Sequence, residues 1–353
     1  MNLSCGIVGL PNVGKSTLFN ALLSRQVADA QNYPFCTIEP NTGVVEVPDP
    51  RLKVLAELSH SEKIVPAAIK FIDIAGLVKG ASKGEGLGNK FLSHIRETDI
   101  IVHIVRAFED SDIARAGSEN PEADYDVINT ELCLADLQTI EKQKEPKGVV
   151  DKDAQFKWQS IVKIKEKLVQ GISARNSGIS KEEKASVNDL NFITLKKEIV
   201  VLNVSEGELS RIGEIKEKYA KWEPIIISAK VESDLIGLSD EEKKEYLKDL
   251  GVESFGLEKL IKKAQETLGL IDFLTTGEKE TRAWTIKKGA LAPEAAGTIH
   301  TDFEKGFIRA AVVSYDDFVQ YKTWKELKEK GKVRFEGKDY EMKDGDVVEF
   351  FHN

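Results

Sequence analysis

The sequence predicts an α/β protein built on a phosphate-binding loop, with an inserted helical arm and a small mixed-β module near the carboxyl end. Three observations predict it. The apolar run Cys5-Gly6-Ile7-Val8 enters a Gly-rich nonapeptide, residues 9–17, and the helix-compatible stretch 17–23 leaves it. Later apolar runs at 69–73, 100–105, 199–202 and 224–227 read as strands of one sheet. After Ile271 the chain turns to short strand-like runs and turns.

Gly9, Gly14, Lys15 and Ser16 fit G-x-x-x-x-G-K-[ST] in the strand–loop–helix setting that this motif requires. Glycines let backbone N–H groups turn inward to cradle phosphate oxygens, and the following helix adds its positive end. Asn12, Val13, Gly14, Lys15, Ser16 and Thr17 are therefore the candidate phosphate-binding set. Lys15 is expected to reach the β- and γ-phosphates, and the Ser16 hydroxyl to hold Mg²⁺.

Composition sets the broad class. At 353 residues, two or three domains are expected. An apolar content of 41% with 31% charged residues suits a core-forming soluble chain. A net charge of −9 argues against wholesale electrostatic capture of nucleic acid, while leaving room for a local basic patch. No apolar run is long enough to span a bilayer, and no signal peptide precedes the first strand. The three cysteines, Cys5, Cys36 and Cys133, are far apart, so inert thiols in a reducing cytoplasm are expected.

Residues 32–43 read as a loop with two prolines and a closing glycine. In nucleotide switches a threonine on this loop senses Mg²⁺ and the γ-phosphate; Thr37 is the candidate and Thr42 the weaker choice. The run Val44-Val45-Glu46-Val47 reads as a short strand. The strand at 69–73 ends in Asp73-Ile74-Ala75-Gly76. Asp73 is placed to orient the Mg²⁺ water shell, and the Gly76 N–H to contact the γ-phosphate. Lys15, Asp73 and Gly76 are the candidate catalytic groups. Residues 76–88 hold five glycines and read as a second switch. Leu77 stands where Ras-like enzymes carry a water-orienting glutamine, which implies slow hydrolysis or another positioning group. A helix is expected over 89–98. His103, inside the apolar run 100–105, is expected to be a satisfied core histidine.

From about 127 to 197 Lys and Glu become dense and strand patterns vanish. Val127, Ile128, Leu132, Ala135 and Ile140 make one helical stripe; Ala154, Trp158, Ile161, Ile164 and Leu168 make a second. Ser180-Lys181-Glu182-Glu183 reads as a capping box. The segment is expected to be an inserted helical, coiled-coil-like arm whose basic face contacts RNA or a partner or is simply solvated. Strands then resume, followed by Asn203-Val204-Ser205-Glu206 where GTPases carry N-K-x-D, and by Ser228-Ala229-Lys230, a base-side loop. A glutamate for the aspartate moves the oxygens that would grip guanine. Asn203, Val204, Glu206 and Ser228 are the candidate base-binding set. The chain is expected to divide at 1–270 and 271–353, the last part carrying a helix over 323–330 and surface cations such as Lys305 and Arg309.

Taken together, residues 6–17, 33–41, 73–82, 203–206 and 300–309 resemble the YchF / Obg-like ATPases from end to end. The resemblance implies a P-loop GTPase-type sheet with helices on both faces, a coiled-coil insertion and a C-terminal TGS domain of β-grasp fold. It implies Mg²⁺ held by Ser16 and Thr37, ATP preferred over GTP, and a ribosome-associated role in translation or stress regulation. Many members carry a catalytic histidine where Arg115 stands here; arginine is no general base near neutral pH, so any role would be a charge contact. The competing expectations are an Obg-type GTPase and an ATP-gated binding module with incidental hydrolysis.

Overall fold

The structure is a computed structural model, and it describes residues 3–25, 41–74, 87–109, 120–148, 151–252 and 254–353. Two six-stranded sheets form the frame. The strands are β1 Ser4–Val8, β2 Thr42–Glu46, β3 Lys63–Val65, β4 Ala68–Asp73, β5 Ile100–Arg106, β6 Lys197–Asn203, β7 Ile225–Ile227, β8 Leu270–Thr276, β9 Glu280–Lys287, β10 Phe307–Ser314, β11 Arg334–Glu336 and β12 Asp346–His352.

The first sheet runs β2-β4-β1-β5-β6-β7. All its pairings are parallel except β2 against β4. Every residue of β1 and β5 is buried, as expected of parallel strands covered on both faces. Because these strands run together, Val8, Asp73, Arg106, Asn203 and Ile227 all end on one edge. That edge is where open parallel sheets bind ligands. Thr42 begins β2 opposite Ile72, so its backbone belongs to the sheet. Thr37, Gly76, Leu77 and Arg115 lie outside the described residues, as does Cys36.

The expected arm divides physically. Helix Pro121–Glu141 starts at Asn120, whose side chain accepts from Ala123 N (2.9 Å), with Pro121 in the first turn. Its Ile128, Leu132 and Ala135 join the main core beneath the sheet. Its Cys133 and Ile140 turn instead to a separate cluster with Ile161, Ile164 and Leu168 of helix Lys152–Val169. The first helix is thus a layer of the α/β fold, and only part of it serves the second helix. The capping box forms at Ser180 and Glu183, opening helix Lys181–Ser186, and Lys163 pairs with Glu183. No helix among the described residues is long and apolar enough to cross a membrane.

The second sheet runs β11-β10-β12-β8-β9-β3. Its last strand is contributed from far upstream: β3 pairs in parallel with β9, Lys63 opposite Glu280 and Val65 opposite Arg282. Only Pro66 and Ala67 separate β3 from β4 of the first sheet. Arg51 adds a second tie, reaching Asp49 and Asp344 (both 2.8 Å). The main core is continuous across this junction, holding Leu55 and Phe71 together with Leu274, Val313, Phe318 and Val347. Helices Ala292–Ile299, Thr301–Lys305 and Tyr315–Tyr321 lie where only strands and turns were expected. They are short, and Pro293 and Gly297 disguise the first. The expected helix near the end is Trp324–Glu329.

Candidate nucleotide site

The nonapeptide after β1 wraps the start of helix Lys15–Leu23. Gly14 caps that helix in the left-handed region (φ 94°), and a Cβ there would collide with the Asn203 amide. A Cβ on Gly9 would stand 2.5 Å from the Ile104 carbonyl oxygen of β5. Gly9 is therefore demanded by close backbone approach, and Gly14 by its left-handed φ and the Asn203 amide packed against it.

Asn203, at the carboxyl end of β6, fastens the loop. Its Nδ2 donates to the Val13 carbonyl (2.9 Å) and its Oδ1 accepts from Ala229 N (2.9 Å). One side chain thereby ties the phosphate loop to the Ser228-Ala229 turn after β7. Val204 is buried, and its N–H donates to the Ile227 carbonyl (2.8 Å), which closes the same turn.

Lys15 lies folded on its own loop, Nζ donating to Gly9 O (3.0 Å) and Leu10 O (2.6 Å). Burial pushes its ammonium pKa down, and the neighbouring Asp73 carboxylate opposes that shift. Burial pushes the Asp73 carboxyl up, with Lys15 pulling the other way. The pair is a buried cation and a half-buried anion that feel each other's charge at the mouth of the loop. Ser16 and Thr17, in the first turn, are exposed beside it, as is Asn12, whose φ is positive (61°).

Two buried side-chain oxygens among the described residues have no hydrogen-bond partner: Asp73 Oδ1 and Ser228 Oγ. Buried polar atoms normally find a partner in the protein or in a bound water, ion or ligand. Both orphans are predicted site residues. One stands at the phosphate end and the other on the base-side turn.

The remaining predicted residue behaves differently. Glu206 is exposed, and its Oε1 accepts from Tyr246 Oη (2.8 Å). Beside Val204, an open groove of ≈ 750 Å³ is walled by Phe108, Asn120, Lys218 and Tyr219. Arg106 supports the Phe108 wall: its Nε donates to Phe108 O (3.2 Å) and its guanidinium lies 4.4 Å from the ring centre. Sequence reasoning puts Arg106 and Phe108 at the ligand-binding end of their strand but neither foresees their stacking nor singles out Tyr246. Each acts through a tertiary contact that no local pattern announces.

The chain is 52% identical to a Pasteurella multocida protein named "Ribosome-binding ATPase YchF", over the full length of both chains. The chain belongs to the YchF family. A Bacillus subtilis relative with the same name is 49% identical, again over all of both chains. The solved structure of the Schizosaccharomyces pombe YchF GTPase superposes with a TM-score of 0.85 at 37% identity, covering 99% of this chain and 98% of that one. Two family models match parts of the chain. One, described as a 50S ribosome-binding GTPase, takes in residues 4–150. The other, the YchF-type GTPase C-terminal model, described as a protein of unknown function, takes in residues 270–353. The YchF fold is thus shown over the whole chain. The phosphate loop, Asp73 and the cap at Asn120 all fall within the first matched segment.

Proposed function

We propose that this protein is a Mg²⁺-dependent ATPase that prefers ATP to GTP, and that its nucleotide cycle governs association with the ribosome. The observation that carries the reading is the loop held by Asn203 with an unpartnered, buried Asp73 oxygen beside Lys15. The names of the full-length relatives supply the ribosome and the adenine nucleotide as the classes to test.

On this reading Gly14, Lys15, Ser16 and Thr17 hold the triphosphate, with Asn12 and Val13 lining the loop. Lys15 leaves the loop carbonyls for the phosphate oxygens, exchanging neutral acceptors for charged ones. The donor set suits magnesium: a hydroxyl at Ser16, the orphaned Asp73 carboxylate behind it, and Thr37 from the first switch loop. The bound ion would neutralise charge on the β- and γ-phosphates. Asp73 would orient the ion's water ligands, and the Gly76 N–H would serve the γ-phosphate. Asn203, Val204 and Ser228 flank adenine. Residues 1–270 form the nucleotide unit, with the helical insertion at 127–197. Residues 271–353 form the TGS domain, and it or the helical arm contacts RNA. The protein works in the cytoplasm.

Calorimetry of ATP and GTP with and without Mg²⁺ tests the nucleotide half, and co-sedimentation with ribosomes in each nucleotide state tests the other. Tight GTP capture with no ATP binding would overturn the purine choice. Leu77 favours a second reading, in which the ATP-bound shape does the work and hydrolysis is incidental, because leucine cannot orient water. Ribosome binding that depends on ATP but survives in a variant unable to hydrolyse it distinguishes the two.

A further inference from the structure

Glu206 stands three residues after Asn203, where the guanine-gripping carboxylate of a GTPase would be. Here its oxygen is already engaged. Tyr246 Oη donates to it at 2.8 Å. The tyrosine sits on helix Asp240–Asp249, forty positions downstream. Its ring is seated against an apolar cluster that includes Val204 and Leu209, which flank Glu206 on either side in the chain. The donor is therefore anchored to the same small core as the loop it holds.

The base-side turn shows the complement. Ser228 is 2% exposed, its hydroxyl has no partner, and the next residue is bonded through its N–H to Asn203. A carboxylate can only accept hydrogen bonds, which suits the ring N–H and amino group of guanine and repels the N1 lone pair of adenine. A hydroxyl can donate to adenine N1 and can equally accept from guanine N1–H, so Ser228 tolerates either purine and the carboxylate is the group that discriminates. With Glu206 engaged elsewhere, the polar side chain left unsatisfied on this turn is of the type that accommodates adenine.

We propose that Tyr246 sets purine choice: by holding the Glu206 carboxylate away from the base, it removes the acceptor that would select guanine and leaves Ser228 to serve adenine. Tyr246 is a positioning residue in this scheme. The inference rests on the ATP-over-GTP reading above.

The test is a Tyr246→Phe variant of the full chain, which keeps the ring and removes only the hydroxyl. ATP and GTP dissociation constants are measured with Mg²⁺ for the parent and the variant. Freeing a charged acceptor is expected to tighten GTP relative to ATP by on the order of tenfold. Adding Glu206→Ala to Tyr246→Phe should return the ratio to the parental value, because no carboxylate then remains to be freed. A loss of folding quality would weaken both nucleotides together and leave the ratio alone. If the parent prefers ATP and Tyr246→Phe leaves the ratio unchanged, the role of Tyr246 is refuted while the purine reading stands. If the parent itself prefers GTP, both fall together.

Discussion

Removing the Asn203 side chain should damage stability and nucleotide capture together. In Asn203→Ala, the Val13 carbonyl loses its donor and the Ala229 N–H loses its acceptor; both bonds are buried and both measure 2.9 Å. An orphaned buried backbone group costs about 1–3 kcal/mol, so two cost about 2–6 kcal/mol. The vacated amide volume is polar-walled, and a water entering it would recover part of this, leaving about 3 kcal/mol. Asn203→Asp separates the two contacts, because it keeps the acceptor for Ala229 and sets an oxygen against the Val13 carbonyl. It should lose at least half as much. Urea unfolding without nucleotide reads the stability term, and calorimetry with ATP reads the effect on the loop. Equal urea midpoints for Asn203→Ala and the parent would refute the idea that this side chain holds the loop in place.

Gly14→Ala forces a Cβ into the Asn203 amide at a left-handed φ, so nucleotide affinity should fall at least tenfold, by roughly 1.4 kcal/mol or more, measured by calorimetry. Lys15→Met removes a cation that burial already disfavours, so the unfolding free energy from urea titration should change by no more than about 1 kcal/mol while ATP affinity drops roughly a hundredfold. Arg51→Ala leaves Asp49, whose side chain is 6% exposed, without its ion partner. It should destabilise the chain by about 2–3 kcal/mol and speed proteolysis at the junction of the two sheets. Glu198 gives a pH signature. Burial alone would raise its carboxyl, but hydrogen bonds from His103 and Tyr125 and the charge of Arg175 hold it down at about 2. A depressed carboxyl stabilises the fold above its ordinary value of 4.5 and loses that contribution as pH falls from there toward 2. The contribution is about 3 kcal/mol. Stability measured from about pH 6 down to about pH 3 should decline less steeply in Glu198→Gln than in the parent.

Local chemistry was readable in the chain wherever a pattern is short and self-contained. The phosphate loop needs its glycines within six positions of one another. The parallel strands need unbroken apolar runs, and β1 and β5 are buried at every position. His103, expected to be a satisfied core histidine, is indeed buried, with its Nδ1 3.1 Å from Glu198. Capping at Ser180 follows from a four-residue spacing, and it forms. Contacts between distant segments left no such trace. The stripe at 127–140 looked like one face of an arm because periodicity shows that a face is apolar, not what covers it. Val127, Ile128, Leu132 and Ala135 of that stripe meet the main core, and only Ile140 meets the cluster of the second helix. Glu206 reads as a base ligand from its spacing to Asn203, and only the fold shows that Tyr246 reaches it. The break after Ile271 was visible as a change of pattern. The loan of β3 across it was not, since three residues alternating Lys63-Ile64-Val65 resemble any short edge segment.

That borrowed strand bears on how the molecule is made. Residues 63–65 leave the ribosomal tunnel roughly two hundred residues before β9 exists to receive them, at a synthesis rate that makes this a wait on the order of ten seconds or more. Through that interval Val65, buried in the finished fold, and the unfilled side of the core at Leu55 have no completed surface to lie against. The growing chain must carry an open edge two residues from the strand that ends in Asp73. The first sheet has all its strands by residue 227, but the core it shares with the second sheet closes only when the far end of the polypeptide arrives, so a prematurely terminated product keeps its nucleotide-facing strands and lacks the partner of β3 and part of the common core.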